Sequence, residues 1–158
     1  MVNRVTVTFD GPAILDPGAI ELRRQDGTLV DAQFSSSLVN GKTVAVLTFT
    51  GSGFVGGSLA DGSYTLTVLA GRVRDRFGRE LDGDGDGVSG GDHSAAFSRR
   101  FGDSDGDGDV DGQDRDVFRA AYRTTAADVG YLWYFDYDAD GDVDGSDNGQ
   151  FNRRFGQS

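Results

Sequence analysis

Apolar and polar residues alternate through most of the first hundred positions. In VNRVTVTF the apolar Val5, Val7 and Phe9 are separated by single polar residues, the period of a half-buried strand. AIELRRQDGTLVDAQF reads as two short strands around Asp26-Gly27, and SSSLVNGKTVAVLTFT as a hairpin with Asn40-Gly41 between Leu38-Val39 and Val44-Val46. GSGFVGGSLADGS is a loop with Leu59 as a core plug, and YTLTVLAG sets Tyr64, Leu66 and Val68 on one strand face. HSAAFSRRF fits two periods: Ala95 and Phe97 alternate as in a strand, while Phe97 and Phe101 are four apart as in a helix. A strand is expected, because the sheet otherwise lacks a closing element. Short strands with turns at about 8–12-residue spacing predict an all-β sandwich.

From Gly102 the period changes to that of a helix. RDVFRAAYR puts Val117, Phe118, Ala121 and Tyr122 on one stripe, and NGQFNRRFG puts Phe151 and Phe155 four apart. The intervening TTAADVGYLWYF is expected to be a connector that lends Tyr131, Leu132, Trp133 and Phe135 to a small core. Trp133 and Tyr134 could stack on sugars, but core filling is the expected role. The pattern divides the chain into residues 1–101, all β, and 102–158, a small helical module.

Composition agrees with this division. The chain has 158 residues, 37% of them apolar, and 25 glycines, which favours turns over long helices. Residues 1–80 carry eight acids and eight bases; residues 81–158 carry eighteen aspartates against seven arginines, so the net charge of −11 lies wholly in the second half. That excess repels phosphates and argues against a nucleic-acid partner or an anionic membrane surface. No apolar run is long enough to cross a bilayer, and no membrane insertion is expected. Without cysteine there is no disulfide and no thiolate metal site. The start, MVNRVTVTFDG, lacks the charged and apolar regions of a signal peptide, so an exported protein would contain this chain as a fragment.

The aspartates are ordered. DSDGDGDVDGQD (103–114) and DYDADGDVDGSD (136–147) repeat one pattern 33 residues apart. Two carboxylates about 4 Å apart repel by roughly 1 kcal/mol in water and about 4 at an effective dielectric of 20, so a cation is expected between them. Calcium takes six to eight oxygens, which the EF-hand loop supplies from positions 1, 3, 5, 7 (a backbone carbonyl), 9 and 12 with glycine at 6. The first loop fills these with Asp103, Asp105, Asp107, Asp109, Asp111 and Asp114, and with Gly108. The second fills them with Asp136, Asp138, Asp140, Asp142, Asp144 and Asp147, and with Gly141. Val110 and Val143 occupy position 8, where paired loops bridge by a short β-contact. Magnesium needs a stricter octahedron, and zinc lacks its usual ligands here. A third run, DGDGDGVSGGD, offers Asp82, Asp84, Asp86 and Asp92, but its last acid comes one residue early. It is either a solvated loop or a third calcium site, so two calcium ions are expected, or three.

Duplicated loop–helix units with aspartate at position 12 and no helix before the loop resemble the type I dockerin over residues 102–156. The resemblance implies a calcium-dependent module that docks onto a cohesin-like domain in extracellular bacterial assemblies. The matching contact positions are Gly112, Gln113, Arg119 and Ala120 in the first copy and Gly145, Ser146, Asn152 and Arg153 in the second. Arg115 and Asn148 replace the apolar residue usual after position 12. LADGSYTLTV resembles the corner before strand F of immunoglobulin-like domains, with Tyr64 as the corner tyrosine, and VRDRFGREL resembles the following segment in bacterial surface proteins.

The lone His93 is expected to be inert, the acids are committed to loops rather than to a catalytic pair, and GSGFVGG lacks the lysine of a phosphate loop. The expected protein is a monomeric, non-catalytic, extracellular or cell-surface calcium-binding chain. It either docks a protein partner or serves as a calcium-stiffened stalk with no dedicated partner.

Overall fold

A computed structural model describes residues 1–157. It is mostly β-structure, with two α-helices near the end of the chain. The strands are β1 (Arg4–Thr8), β2 (Ala13–Leu15), β3 (Ile20–Arg24), β4 (Ala32–Val39), β5 (Lys42–Phe49), β6 (Phe54–Val55), β7 (Ser58–Leu59), β8 (Gly62–Val68), β9 (Val73–Asp75) and β10 (His93–Arg99). Helices α1 (Gly112–Ala121) and α2 (Gly145–Arg154) follow. No helix among the described residues is long and apolar enough to cross a membrane.

The chain forms two compact units that interleave in sequence. One comprises Arg4–Gly51 and Ser63–Phe97; the other comprises Met1–Asn3, Ser52–Gly62 and Ser98–Ser158. In the first unit, one three-stranded sheet has the order β1-β5-β4 and another the order β10-β8-β3. The β4–β5 hairpin turns on Asn40 (φ 51°) and Gly41 (φ 79°). Two successive positive φ values give the turn whose twist matches antiparallel strands, which is why Asn-Gly stands there. The register that follows pairs Val39 with Lys42 and Phe34 with Leu47. Alternation then drives Ala45, Leu47 and Phe49 to one buried face of β5, as it does Tyr64, Leu66 and Val68 on β8. The segment His93–Arg99 is a strand, not a helix; Phe97 stacks on the buried Tyr64 with ring centroids 5.5 Å apart. The Asp26-Gly27 signal yields a tight turn, closed by a bond from Gly27 N–H to the Arg24 carbonyl at 2.8 Å, and only a single bridge, Arg23 to Leu29, follows it.

The second unit has its own core of Phe101, Val110, Phe118, Ala121, Phe135, Val143 and Phe151, all buried. Phe118 stacks on Phe151 at 4.6 Å and meets Phe135 edge-on at 5.1 Å. The expected stripe needs correction at its margins. Val117 is 37% exposed and Phe155 38%: α1 turns Asp114, Phe118 and Ala121 inward, which leaves Val117 on the flank, and Phe155 lies past the end of α2. Trp133, expected in the core, is 45% exposed. The segment Trp133–Phe135 is one turn of 3-10 helix, which can point only Phe135 fully inward.

Candidate metal centre

Each acidic loop ends by starting a helix, and the same two aspartates do both. Asp111 caps α1 by accepting the Gln113 N–H at 2.7 Å, and Asp114 returns a carboxylate to the Asp111 N–H at 2.8 Å. Asp144 and Asp147 repeat this on α2, at 2.7 Å for both bonds. This is the reciprocal capping box, which satisfies two otherwise orphaned N–H groups. Asp114 and Asp147 also accept from position 2 of their own loops, the Ser104 N–H at 2.7 Å and the Tyr137 N–H at 2.6 Å. Position 12 is therefore the hub of each loop, and Asp114 and Asp147 are buried. Among the described residues no α-helix runs directly into either loop; a single 3-10 turn, Trp133–Phe135, leads into the second.

The carboxylates converge on that hub. Oxygens of Asp103, Asp105 and Asp114 lie within 4.8 Å of one another, as do those of Asp109, Asp111 and Asp114. The second loop gives the same two groups, Asp136, Asp138 and Asp147, and Asp142, Asp144 and Asp147. Ligands at 2.3–2.6 Å from one calcium ion are at most about 5 Å apart, so these spacings suit a single cage per loop. Asp107 and Asp140 are not among the converging groups; their carboxylates accept the Asp109 and Asp142 N–H at 3.1 and 3.2 Å. Gly108 (φ 98°) and Gly141 (φ 97°) make the turn at position 6, a backbone state that side chains resist.

One observation tests whether a cation fits. Among buried side-chain oxygens and nitrogens of the described residues, two lack a hydrogen-bond partner: Asp109 Oδ1 and Asp142 Oδ1. They are the same atom in the two loops. A buried, unpaired carboxylate oxygen is costly unless a charge answers it. Protonation equilibria point the same way. Burial first, and then the neighbouring carboxylates, push Asp109 and Asp142 above the usual carboxylate range. Burial is also the leading cause for Asp105, Asp138 and Asp147. A hard divalent cation would remove both the repulsion and the unpaired oxygens, so the donor set fits calcium.

The loops are linked through each other's helices. Val110 N–H donates to the Gln157 carbonyl at 3.1 Å, and its own carbonyl accepts the Gly156 N–H at 2.7 Å, just after α2. Val143 does the same with Arg123 and Thr124, just after α1, at 2.7 and 2.9 Å. The expected direct bridge between Val110 and Val143 is thus replaced by two crossed bridges, each from position 8 of one loop to the end of the other helix. Both valines are still fully buried.

Sequence reasoning missed three supports. Tyr131 donates its hydroxyl to Asp136 Oδ2 at 2.7 Å, and burial with this bond raises its pKa to about 12. Asp61, on the loop before β8, pairs with both Arg99 and Arg154 and accepts the Phe101 N–H at 2.8 Å. Gly56 lies against the Tyr137 carbonyl, in the second acidic loop, so closely that a Cβ would overlap it. The capping boxes have a local signal in the D-x-x-D spacing, whose aspartates are expected from sequence only as metal ligands; Asp61 and Gly56 act across 38 to 93 residues and left no local signal.

The remaining candidates fall elsewhere. Asp82, Asp84 and Asp86 converge but are all exposed, and they accept N–H groups of their own turn, such as Gly87 to Asp82 at 2.9 Å. Asp92 does not join them; it accepts the Ala70 N–H at 2.8 Å. Gln113, Arg119, Ala120, Ser146, Asn152 and Arg153 are all exposed. His93 is exposed, with Nδ1 3.2 Å from the Gly83 carbonyl, and borders an open cleft of about 560 Å³ in the first unit, whose lining includes none of the residues of the two loops. No protein-family model matches this chain, and no curated protein matches it.

Proposed function

We propose that this chain is a non-catalytic calcium-binding segment of a secreted or surface-attached bacterial protein, and that residues 102–158 act as a dockerin-like docking module behind an immunoglobulin-like domain. The observation that carries the reading is the matched pair of buried, unpartnered oxygens, Asp109 Oδ1 and Asp142 Oδ1, at position 7 of two loops with the same capping box. A cation in each loop neutralises the cage and draws α1 and α2 over their shared core, so its binding energy adds to folding. The same six side chains at matched positions of the two helices stay exposed, which suits calcium-dependent contact with a cohesin-like domain.

Calorimetric titration of the chelated protein tests the metal: two calcium equivalents are expected, and three would include the Asp82 loop. Capture of cohesin-like domains with calcium, and its loss with chelator, tests the docking.

A second reading, a calcium-stiffened stalk without a dedicated partner, draws on Asp61 and Gly56. These tie the Ser52–Gly62 segment to the helical module within one unit, so the cations would then serve to hold that unit rigid. Calcium-dependent stability without any captured domain favours this reading.

A further inference from the structure

Strand β4 is the outer strand of the β1-β5-β4 sheet. Its pairing with β5 places Ala32, Phe34, Ser36 and Leu38 on the same face as Phe49, Leu47, Ala45 and Thr43. The β5 side chains are buried, yet Leu38 is 63% exposed and only Phe34 of β4 is even partly covered. The covering of this face therefore stops at β5. Among the described residues, no backbone hydrogen bond from beyond the sheet reaches Ala32–Val39. Natural edge strands are guarded by charge, proline or a bulge. This one has neither charge nor proline, and its eight-residue register with β5 is unbroken.

We propose that β4 pairs antiparallel with β4 of a second copy of this chain, about a two-fold axis at Ser36, making one continuous six-stranded sheet. Two features of the strand favour its own copy as occupant. A two-fold axis normal to the sheet keeps inward side chains on one face, so inward residues must oppose inward residues. Of the registers this allows, the one centred on Ser36 sets Phe34 opposite Leu38 of the second copy at both ends, and covers the apolar side chains that one copy leaves open. The strand is also neutral, so self-pairing opposes no like charges, whereas a charged partner strand would find no counter-charge. One strand pair is small beside the roughly 1,200–2,000 Å² of stable interfaces, so the dimer is weak and reversible, in place of the monomer expected from sequence.

The chain has no cysteine, so one introduced thiol reports alone. Opposed residues of antiparallel strands lie about 4.5–5.5 Å apart at Cα, within disulfide reach. Under mild oxidation, Ser36→Cys should form a covalent dimer, while Ser94→Cys, exposed on the outer strand β10 of the other sheet, should not. Sedimentation of the unaltered chain from about 10 μM to 1 mM, the range of a weak interface, should show a monomer–dimer equilibrium in calcium and in chelator alike. Ser36→Lys and Leu38→Lys should stay monomeric with unchanged circular dichroism. A chain that stays monomeric throughout, or a Ser36 thiol that cross-links no faster than the Ser94 thiol, overturns the proposal.

Discussion

Asp109 and Asp142 concentrate the conflict in each loop, because burial and neighbouring carboxylates oppose their charge. Asp109→Asn should weaken one calcium site by about tenfold or more, since affinity follows the charge count of the cage. The same change should raise the melting temperature of the chelated protein; calorimetry and thermal melts read both. The pH response follows from the signs of the shifts. Groups with raised folded pKa contribute stability that is fully present below the unfolded value of about 3.9 and lost as pH rises through the folded value. The chelated protein should therefore melt higher at mildly acid pH than at neutral pH. Asp61 behaves oppositely. Burial works against its charge, but the Arg154 hydrogen bond, the Phe101 N–H and the Arg99 charge outweigh it and hold its pKa below the ordinary range. Its contribution is present above the unfolded value and lost as pH falls through the folded one. A maximum in mildly acid solution is expected without calcium, and a plain fall on acidification with calcium, because protons then compete with the ion.

One segment that binds the helical unit together is not a helix. The Ser52–Gly62 segment places Gly56 against Tyr137 and Asp61 between Arg99 and Arg154. Asp61→Asn leaves Arg99, whose side chain is 3% exposed, without its charge partner; a loss of about 2–4 kcal/mol in denaturant unfolding is expected. Gly56→Ala should cost a similar amount, about 2 kcal/mol or more, because the clash is with backbone and cannot be relieved by a rotamer. In the core, Phe151→Ala removes a ring packed on both Phe118 and Phe135. About 3–5 kcal/mol is expected, enough to leave α1 and α2 unfolded without calcium.

The whole chain holds two units of different character, one sheet-built with eleven acids and eight bases, the other carrying both helices with fifteen acids and seven bases. Two thermal transitions are expected, and chelation should lower the one belonging to the unit with α1 and α2. Because Ser52–Gly62 belongs to that unit, its amide exchange should quicken on chelation together with that of residues 103–157, while β1, β4 and β5 keep their protection. If Ser52–Gly62 stays with the sheets instead, the grouping of the units is refuted.

The sequence by itself determined whatever is local. Period-two alternation sets the faces of β5 and β8, Asn40-Gly41 sets the hairpin, and the twelve-residue spacing gathers carboxylates around Asp114 and Asp147. These follow from backbone geometry within a few residues, so a one-dimensional pattern can carry them. Tertiary structure decided the rest. It crossed Val110 and Val143 to the ends of the opposite helices, exposed Trp133, placed Asp61 between two arginines, and left β4 uncovered. Those outcomes depend on which distant segments share a core and where its covering stops, a balance of burial and close approach that no single stretch of residues encodes.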